Sequence, residues 1–451
     1  MALQRVYPIC LAVAVLMTGF AGVGPSEAQA MPAFARAYGV PCSTCHVSIP
    51  RRNDFGDSFR KAGYRWPHGK TTFPVEPVEM RGQSLLEGLL PANLPVGFTT
   101  SMSASLDPIQ NTIFVENDDG TVGEEDVEAN MFRLGSPGFL MLLGASFGDN
   151  FSLFGSASGS ELGEMVFQFR ILEGDLNLKV GQFKQTTSMF LSNEGLVGTF
   201  ALGNLTPNDV LVSGKRGVEL NGILPAPGFL ENRVFWAAGT ALNDPGNSRG
   251  KWDFYGHLEE RFGNGTEDFR GHEPEIDLDA DPTAWDEIGI TLNQWAYVGR
   301  RTQDGNPTLD SLRLGLEAKL QVYDVRLWTG GLLSLDDETL YETDNDGSYG
   351  NYETMHVDAF AELSYRVSAS LWVMGMWTMR EGNTKKLEDN IFQRYSLGAV
   401  AVLLENVRCT LSASTGSALS PRGTLEDASD DTYAMIDFRD TVASLRMLVG
   451  F

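Results

Sequence analysis

The chain has 451 residues and a formal net charge of −25, from 59 acidic and 34 basic residues. This balance excludes nucleic acid as the expected partner, because phosphate binding requires the opposite sign, and it suits the attraction of cations. The four cysteines supply no disulfide framework, so stability must have another source.

Residues 1–30 have the features of an export signal. Arg5 precedes a short apolar run, Cys10–Phe20, and Ala28-Gln29-Ala30 fits the small-x-small cleavage pattern. The apolar run is too short to span a bilayer. We therefore expect cleavage near Ala30 and a mature protein outside the cytoplasm.

The next motif, Cys42-Ser43-Thr44-Cys45-His46, is the C-x-x-C-H attachment signature of a c-type haem. Cys42 and Cys45 would hold the porphyrin covalently, and His46 would ligate its iron. The alternatives are a zinc half-site, a thioredoxin-like redox pair and chance. Zinc requires two further Cys or His ligands, of which only His68 is near, and the redox pair requires a βαβ setting that is absent. The motif predicts one covalent haem c.

Residues 31–80 form the predicted haem segment. Asn53 is expected to cap a short helix that ends at Gly63, with Phe55, Phe59 and Ala62 on one face. A segment of about 50 residues is below the size that usually buries an adequate core. We therefore expect the rest of the chain to cover it, after a linker at residues 81–96.

Residues 97–451 alternate apolar and polar side chains in segments separated by turns. In Leu312–Val322 the even positions are apolar, whereas Arg313, Glu317, Lys319 and Gln321 occupy the other face. A soluble sandwich and a membrane barrel both give such a pattern. Charges of both signs on the polar faces, short turns alternating with long loops, and a final amphipathic strand ending at Phe451 favour the barrel. We predict an all-β fold, a transmembrane antiparallel β-barrel of about 16 strands.

The connections follow the same alternation. Short turns at 148–150, 173–175 and 323–324 fall on one side, and long acidic loops at 108–137, 184–213, 336–353 and 417–439 fall on the other. The long acidic connection 263–287 falls on the short-turn side. Either the strand count is wrong by a hairpin there, or the chain makes a periplasmic excursion.

Three stretches together resemble a known family: Pro32-Ala33-Phe34-Ala35-Arg36, the C-x-x-C-H motif, and Asn53-x-Phe55-Gly56-x-x-Phe59-x-x-x-Gly63-Tyr64. They resemble the N-terminus of the fused outer-membrane cytochrome–porins, best known as the outer-membrane iron oxidases of iron-oxidising bacteria. The resemblance implies one haem domain before a barrel of about sixteen strands, with Cys42 and Cys45 as anchors and His46 as proximal ligand. Ala37-Tyr38-Gly39 stands where the iron-oxidase group commonly has Gln-Thr-Gly. The resemblance therefore supports the fused architecture more strongly than it supports specificity for iron. Val180–Lys184 also resembles a strand motif of phosphate-selective porins.

No motif fixes the distal haem ligand. His68, Met80 and Met102 are candidates, although each has an ordinary alternative as a surface, linker or barrel residue. His257 and His356 are expected on lumen-facing polar positions, either as metal ligands or as parts of a mixed-charge pore wall.

The sequence thus predicts a one-electron oxidoreductase of the bacterial outer membrane, surrounded by its lipid. It would move electrons between an extracellular donor, Fe(II) by expectation, and a periplasmic c-type cytochrome or other soluble carrier. The alternatives are a diffusion porin with a haem tethered for docking or sensing, and an outward conduit that reduces extracellular acceptors.

Overall fold

The computed structural model describes residues 34, 45–48, 51–64, 96–116, 122–135, 137–147, 150–158, 161–172, 176–189, 215–225, 233–242, 252–263, 288–302, 308–340, 350–368, 370–383, 390–404, 407–419 and 440–450. The expected export signal, Cys42, His68, Met80 and residues 81–95 of the expected linker lie outside these residues, and Val96 already belongs to the first barrel strand. In the described part of the chain, no helix has the length and apolar character to cross a membrane.

A small hairpin and one helix precede the large sheet. The hairpin pairs β1 (His46–Ser48) with β2 (Arg51–Arg52), and α1 (Asp54–Lys61) follows. The remaining strands are β3 (Val96–Glu116), β4 (Val122–Leu134), β5 (Gly138–Phe147), β6 (Phe151–Ser158), β7 (Glu161–Leu172), β8 (Leu176–Phe183), β9 (Lys215–Pro225), β10 (Arg233–Leu242), β11 (Trp252–Gly263), β12 (Ile288–Thr302), β13 (Thr308–Val322), β14 (Val325–Leu340), β15 (Gly350–Ser368), β16 (Leu371–Asn383), β17 (Asn390–Leu404), β18 (Val407–Leu419) and β19 (Asp440–Gly450).

Strands β3–β19 form a closed antiparallel barrel, because the last strand, β19, pairs with β3. β4 and β5 pair with successive parts of β3, at residues 104–116 and 96–101, so together they make one wall strand. The 17 segments therefore give 17 − 1 = 16 wall strands. The fold class predicted from the sequence is confirmed.

The predicted loop at 108–137 is wrong. β3 continues to Glu116 and β4 returns over Val122–Leu134. Among the described residues, β19 pairs with β3 only as far as Leu106, and β4 pairs with β3 alone. In this part of the hairpin, β3 and β4 pair only with each other. Because no neighbouring wall strand is involved, their side chains need not alternate between apolar and polar, and the acidic run has the sequence character of a loop.

The barrel has apolar residues outside and polar residues inside. On β13, Leu316 is 65% exposed, whereas Arg313 and Glu317 are each 1% exposed and face the interior, the lumen. The same inversion holds on β15, where Leu363 is 53% exposed and Glu362 is fully buried. The two faces predicted from period-two patterning are confirmed, and this distribution is typical of membrane-spanning barrels.

The register also explains the long connection after β11. β11 and β12 pair directly, from Phe254 opposite Val298 to Gly263 opposite Gly289. The strand count there is therefore right, and the chain leaves β11 at the end where Tyr323-Asp324 makes a short turn. We call this the short-turn end. Residues 264–287 themselves lie outside the described ranges.

Candidate functional site

The described N-terminal residues 34, 45–48 and 51–64, which we call the plug, lie inside the lumen. Arg51 pairs with Glu362 on β15, and Lys61 pairs with Glu259 on β11. Tyr64 stacks on Phe154 of β6, with ring centroids 4.8 Å apart. The wall thus covers the segment from several sides, as its small size led us to expect.

Residues of the N-terminal motif cap both ends of helix α1. The Asn53 side-chain oxygen accepts a hydrogen bond from the Gly56 amide at 2.8 Å, which caps the first turn. At the other end Gly63 has φ +76°, the Gly63 amide donates to the Arg60 carbonyl, and the Tyr64 amide donates to the Phe59 carbonyl. These two bonds define a Schellman motif. The predicted helix is confirmed, although it is shorter than Asn53–Gly63.

The helix is held directly against the C-x-x-C-H motif. The Asn53 amide donates to the Cys45 carbonyl at 3.0 Å. A Cβ atom on Gly56 would lie 2.0 Å from that same carbonyl oxygen, so only glycine allows this approach. Asn53 and Gly56 therefore fix the position of the helix relative to Cys45.

Buried ion pairs anchor the helix to β11. Lys61 contacts Asp57 on its own helix and Glu259 on the wall. Arg261 donates to Asp57 at 2.6 Å and to the Ser58 hydroxyl at 2.7 Å. Burial opposes ionisation of Asp57, but the charges of Lys61 and Arg261 outweigh it and hold the pKa of this carboxyl well below its usual range. The helix is thus docked in one place by complementary charge.

Aromatic rings pack the opposite side of the plug. Tyr64 stacks between Phe34 and Phe154, with centroids 5.1 Å and 4.8 Å away. Phe59 meets Phe34 edge-on at 5.3 Å. Burial raises the pKa of the Tyr64 hydroxyl, so this residue is neutral. The cluster joins both ends of the plug to the barrel wall.

Cys45 and His46 are half-buried at the start of the hairpin. Burial raises the pKa of the Cys45 thiol to about 12, with the Arg52 charge opposing it. A cysteine followed at once by histidine is the donor set that c-type haem attachment uses, and the enclosure of these two residues in the lumen fits that group.

A second segment, residues 184–189, turns into the lumen after β8. The Thr187 carbonyl accepts a hydrogen bond from Asn293 at 3.0 Å and lies 2.6 Å from His257 Nδ1. Because a carbonyl only accepts, His257 Nδ1 carries the proton. The Met189 amide donates to Glu317 at 2.9 Å. The first six residues of the predicted loop 184–213 are therefore lumen lining, which the sequence pattern did not indicate.

The other candidate ligands have separate positions. Met102 is 53% exposed on the outer surface of β3, so its proposed role as a distal ligand is wrong. His257 is buried in the lumen, and His356 occupies a lumen-facing position of β15, as predicted. Among the described residues, no three His, Cys, Asp or Glu side chains are grouped to hold a metal ion.

Comparison with known proteins gives only distant similarities. No family model matches the sequence, and no curated protein matches it. The solved structures similar to this chain include the outer-membrane protein OmpT of Vibrio cholerae, at 10% identity over 79% of this chain and 97% of that chain, with a TM-score of 0.48. An anion-selective porin from Comamonas acidovorans has 12% identity over 79% and 98% of the two chains, with a TM-score of 0.48. The channel DcaP of Acinetobacter baumannii has 12% identity over 79% and 96%, with a TM-score of 0.43.

Proposed function

We propose that this chain is an outer-membrane cytochrome–porin that transfers electrons across the membrane through one covalently attached c-type haem. The observation that carries the proposal is the position of Cys45 and His46, on a segment that buried ion pairs hold inside a closed barrel. A diffusion channel has no need of such a segment. A redox group that carries electrons across the membrane does need a segment that holds it inside the barrel, because the hydrocarbon core of the bilayer is an insulator.

The outer surface supports a membrane location. Phe147, Phe151, Phe167 and Phe169 form stacked or tilted pairs on neighbouring strands, with centroid distances of 5.1 Å to 6.1 Å. This group lies towards the short-turn end, where an aromatic girdle meets the lipid headgroups in barrels of this kind.

The residues of the chain have distinct roles in this proposal. Cys42 and Cys45 would hold the porphyrin by thioether bonds, and His46 would ligate the iron as the proximal ligand. When bound, the haem supplies a one-electron couple. The plug and wall exclude lipid from this position, and the net negative charge of the chain favours the approach of a cation. Fe(II) is the donor we propose, and a periplasmic c-type cytochrome is the acceptor.

A diffusion porin is the second candidate, and the lumen wall favours it. The wall carries charges of both signs, including Lys215 paired with Asp253 at 2.8 Å and Glu219 beside Lys179 at 3.5 Å. A wet pore for small solutes has such a wall. In that case the haem would serve docking or sensing, and the plug would leave a continuous path for solutes.

The two candidates are separated by absorbance and permeation on the same outer-membrane preparation. On adding Fe(II), we expect the reduced haem spectrum to appear with the wild-type protein and to be absent with His46→Ala. Both proteins should assemble equally, judged by the mobility shift of the barrel on heating. An unchanged spectrum, together with solute entry into liposomes, would replace the electron-transfer proposal with the porin. A strongly negative reduction potential would instead reverse the proposed direction.

A further inference from the structure

Arg51 is a buried cation with only part of its hydrogen-bonding capacity in use. Its side chain is 1% exposed, its Nη1 donates to Glu362, and it lies over the Trp328 ring at 5.2 Å. Among the residues that the structure describes, Nε and Nη2 have no hydrogen-bond partner. A buried N–H left without an acceptor is destabilising, because it has lost its hydrogen bond to water. The position therefore suits a ligand that supplies acceptors.

The shape of the guanidinium identifies that ligand class. The Nε–H and one terminal N–H of arginine point in parallel along one edge of the plane, which matches the two oxygens of a carboxylate. In Arg51 the Nη1 group is already used by Glu362, and the open edge presents two donors. A carboxylate is the ligand that this edge fits.

Further positive charge lies on β18 and β19. Arg408 is 7% exposed on the lumen face of β18, where its Nε donates to Thr410 at 2.9 Å. Arg446 follows on β19, opposite Thr410 in the register. The charges of both Arg446 and Arg51 act on Arg408. Arg51 and Arg408 are buried, whereas Arg446 is exposed. The like charges repel one another, and Glu362 is the carboxylate that pairs with Arg51.

The same site adjoins the attachment motif. Arg51 lies opposite Ser48 in the β1–β2 hairpin, and Arg52 lies opposite His46. We propose that the open edge of Arg51, with Arg408 and Arg446, binds a propionate carboxylate of the porphyrin that Cys45 and His46 hold. This inference rests on the proposed function. The same chemistry would also accept a diffusible oxyanion, and the experiment below separates the two sources.

The test measures the reduction potential and the propionate bending band in resonance Raman spectra of the purified full-length protein. Removing a cation near the iron disfavours the reduced state, so Arg51→Gln should lower the potential and shift the band. We expect about a tenfold change in the reduction equilibrium, which is about 59 mV for one electron. Arg51→Lys keeps the charge but loses the two-point contact, so it should shift the band with a smaller change in potential.

Two matched variants control for an effect on plug docking alone. Glu362→Gln removes the wall partner of Arg51 but keeps its charge, so the potential should rise rather than fall. Arg366→Gln removes an arginine that pairs with Asp324 at 2.7 Å at the short-turn end, and neither readout should change. If Arg51→Gln and Glu362→Gln lower the potential equally, Arg51 only docks the plug, and the proposal is overturned.

The source of the carboxylate is decided by adding inorganic phosphate to the wild-type protein. A potential that varies with phosphate, while the propionate band is the same in wild type and Arg51→Gln, would assign the site to a diffusible anion and overturn the proposal. The pyridine haemochrome assay is done first. If the wild type carries no covalent haem, the proposed function fails as well; if haem is present but Arg51 variants leave band and potential unchanged, only the propionate site fails.

Discussion

Asp57, on the helix inside the barrel, accepts a hydrogen bond at 2.6 Å from Arg261, which projects inward from β11. The contact joins two parts of the chain that no local pattern connects. It makes the N-terminal segment part of the barrel interior, since Arg261 also contacts Ser58 and Glu259. We therefore expect the docking of the plug inside the barrel to depend on this set of charges.

Glu259→Gln should unseat the plug. Lys61 and Arg261 share two carboxylates, Glu259 and Asp57, and the substitution removes the one that lies on the wall. Breaking a buried ion pair costs about 3–5 kcal/mol. We expect ionic conductance through single proteins in planar bilayers to rise well above that of wild type. Glu260 is the next residue on β11 and faces outward, so Glu260→Gln is the matched control. Equal conductance in the two variants would mean that the charges do not hold the plug.

Acid should release the plug through Asp57. Its pKa is lower in the folded protein than in the unfolded chain, so its contribution to stability is fully present above the unfolded value, about 3.9, and is lost as the pH falls through the folded value. Conductance should therefore be constant from neutral pH to about 5 and increase only below about 4. Asp57→Asn should show a smaller increase on acidification. Opening of the wild type near pH 6 would contradict this account.

Gly56→Ala should disturb the attachment site. The new Cβ would lie 2.0 Å from the Cys45 backbone oxygen, so the helix or the motif must move. Overpacking of this kind costs about 1–3 kcal/mol, and we expect a lower ratio of covalent haem to protein. In Gly256→Ala the Cβ meets its nearest atom at 4.0 Å, so this variant should retain the wild-type ratio. Full haem loading of Gly56→Ala would refute the packing argument.

Tyr64→Ala should loosen the end of the plug that rests on β6. It removes the ring between Phe34 and Phe154. Because Tyr64 is half-buried, the cost should be below the roughly 3–5 kcal/mol of truncating a fully buried aromatic residue. Limited proteolysis of the folded protein should then cut the N-terminal segment faster. Tyr64→Phe keeps the stacking and should behave as wild type. If both variants resist proteolysis equally, the aromatic cluster contributes little to docking.

Much of the barrel could be predicted from the sequence because its signal is local. Alternation over Leu312–Val322 determines which side chains face the lumen, and the strand count followed from the turns between such segments. The acidic hairpin of β3 and β4 was missed because its two strands pair only with each other there. Strands in water need no apolar face, so the alternating pattern that marks the wall strands is absent.

The interior could be predicted only in part. His257 and His356 were assigned to the lumen by their strand positions, and Glu259 and Glu362 share those faces of β11 and β15. Their pairing with Lys61 and Arg51 could not be predicted, because a contact between distant parts of the chain leaves no periodic pattern. Matching the opposite charges of a short basic segment and a predicted lumen face would have been the available signal.

Electron transfer into sealed liposomes tests the central claim most directly. The wild-type protein is reconstituted with oxidised cytochrome c enclosed, and Fe(II) is added outside. We expect the enclosed cytochrome to be reduced rapidly with the wild type and slowly with His46→Ala, while a neutral sugar stays excluded by both. Equal reduction rates in the two preparations would show that Fe(II) diffuses through the barrel, and the account of a haem-borne electron path would be wrong.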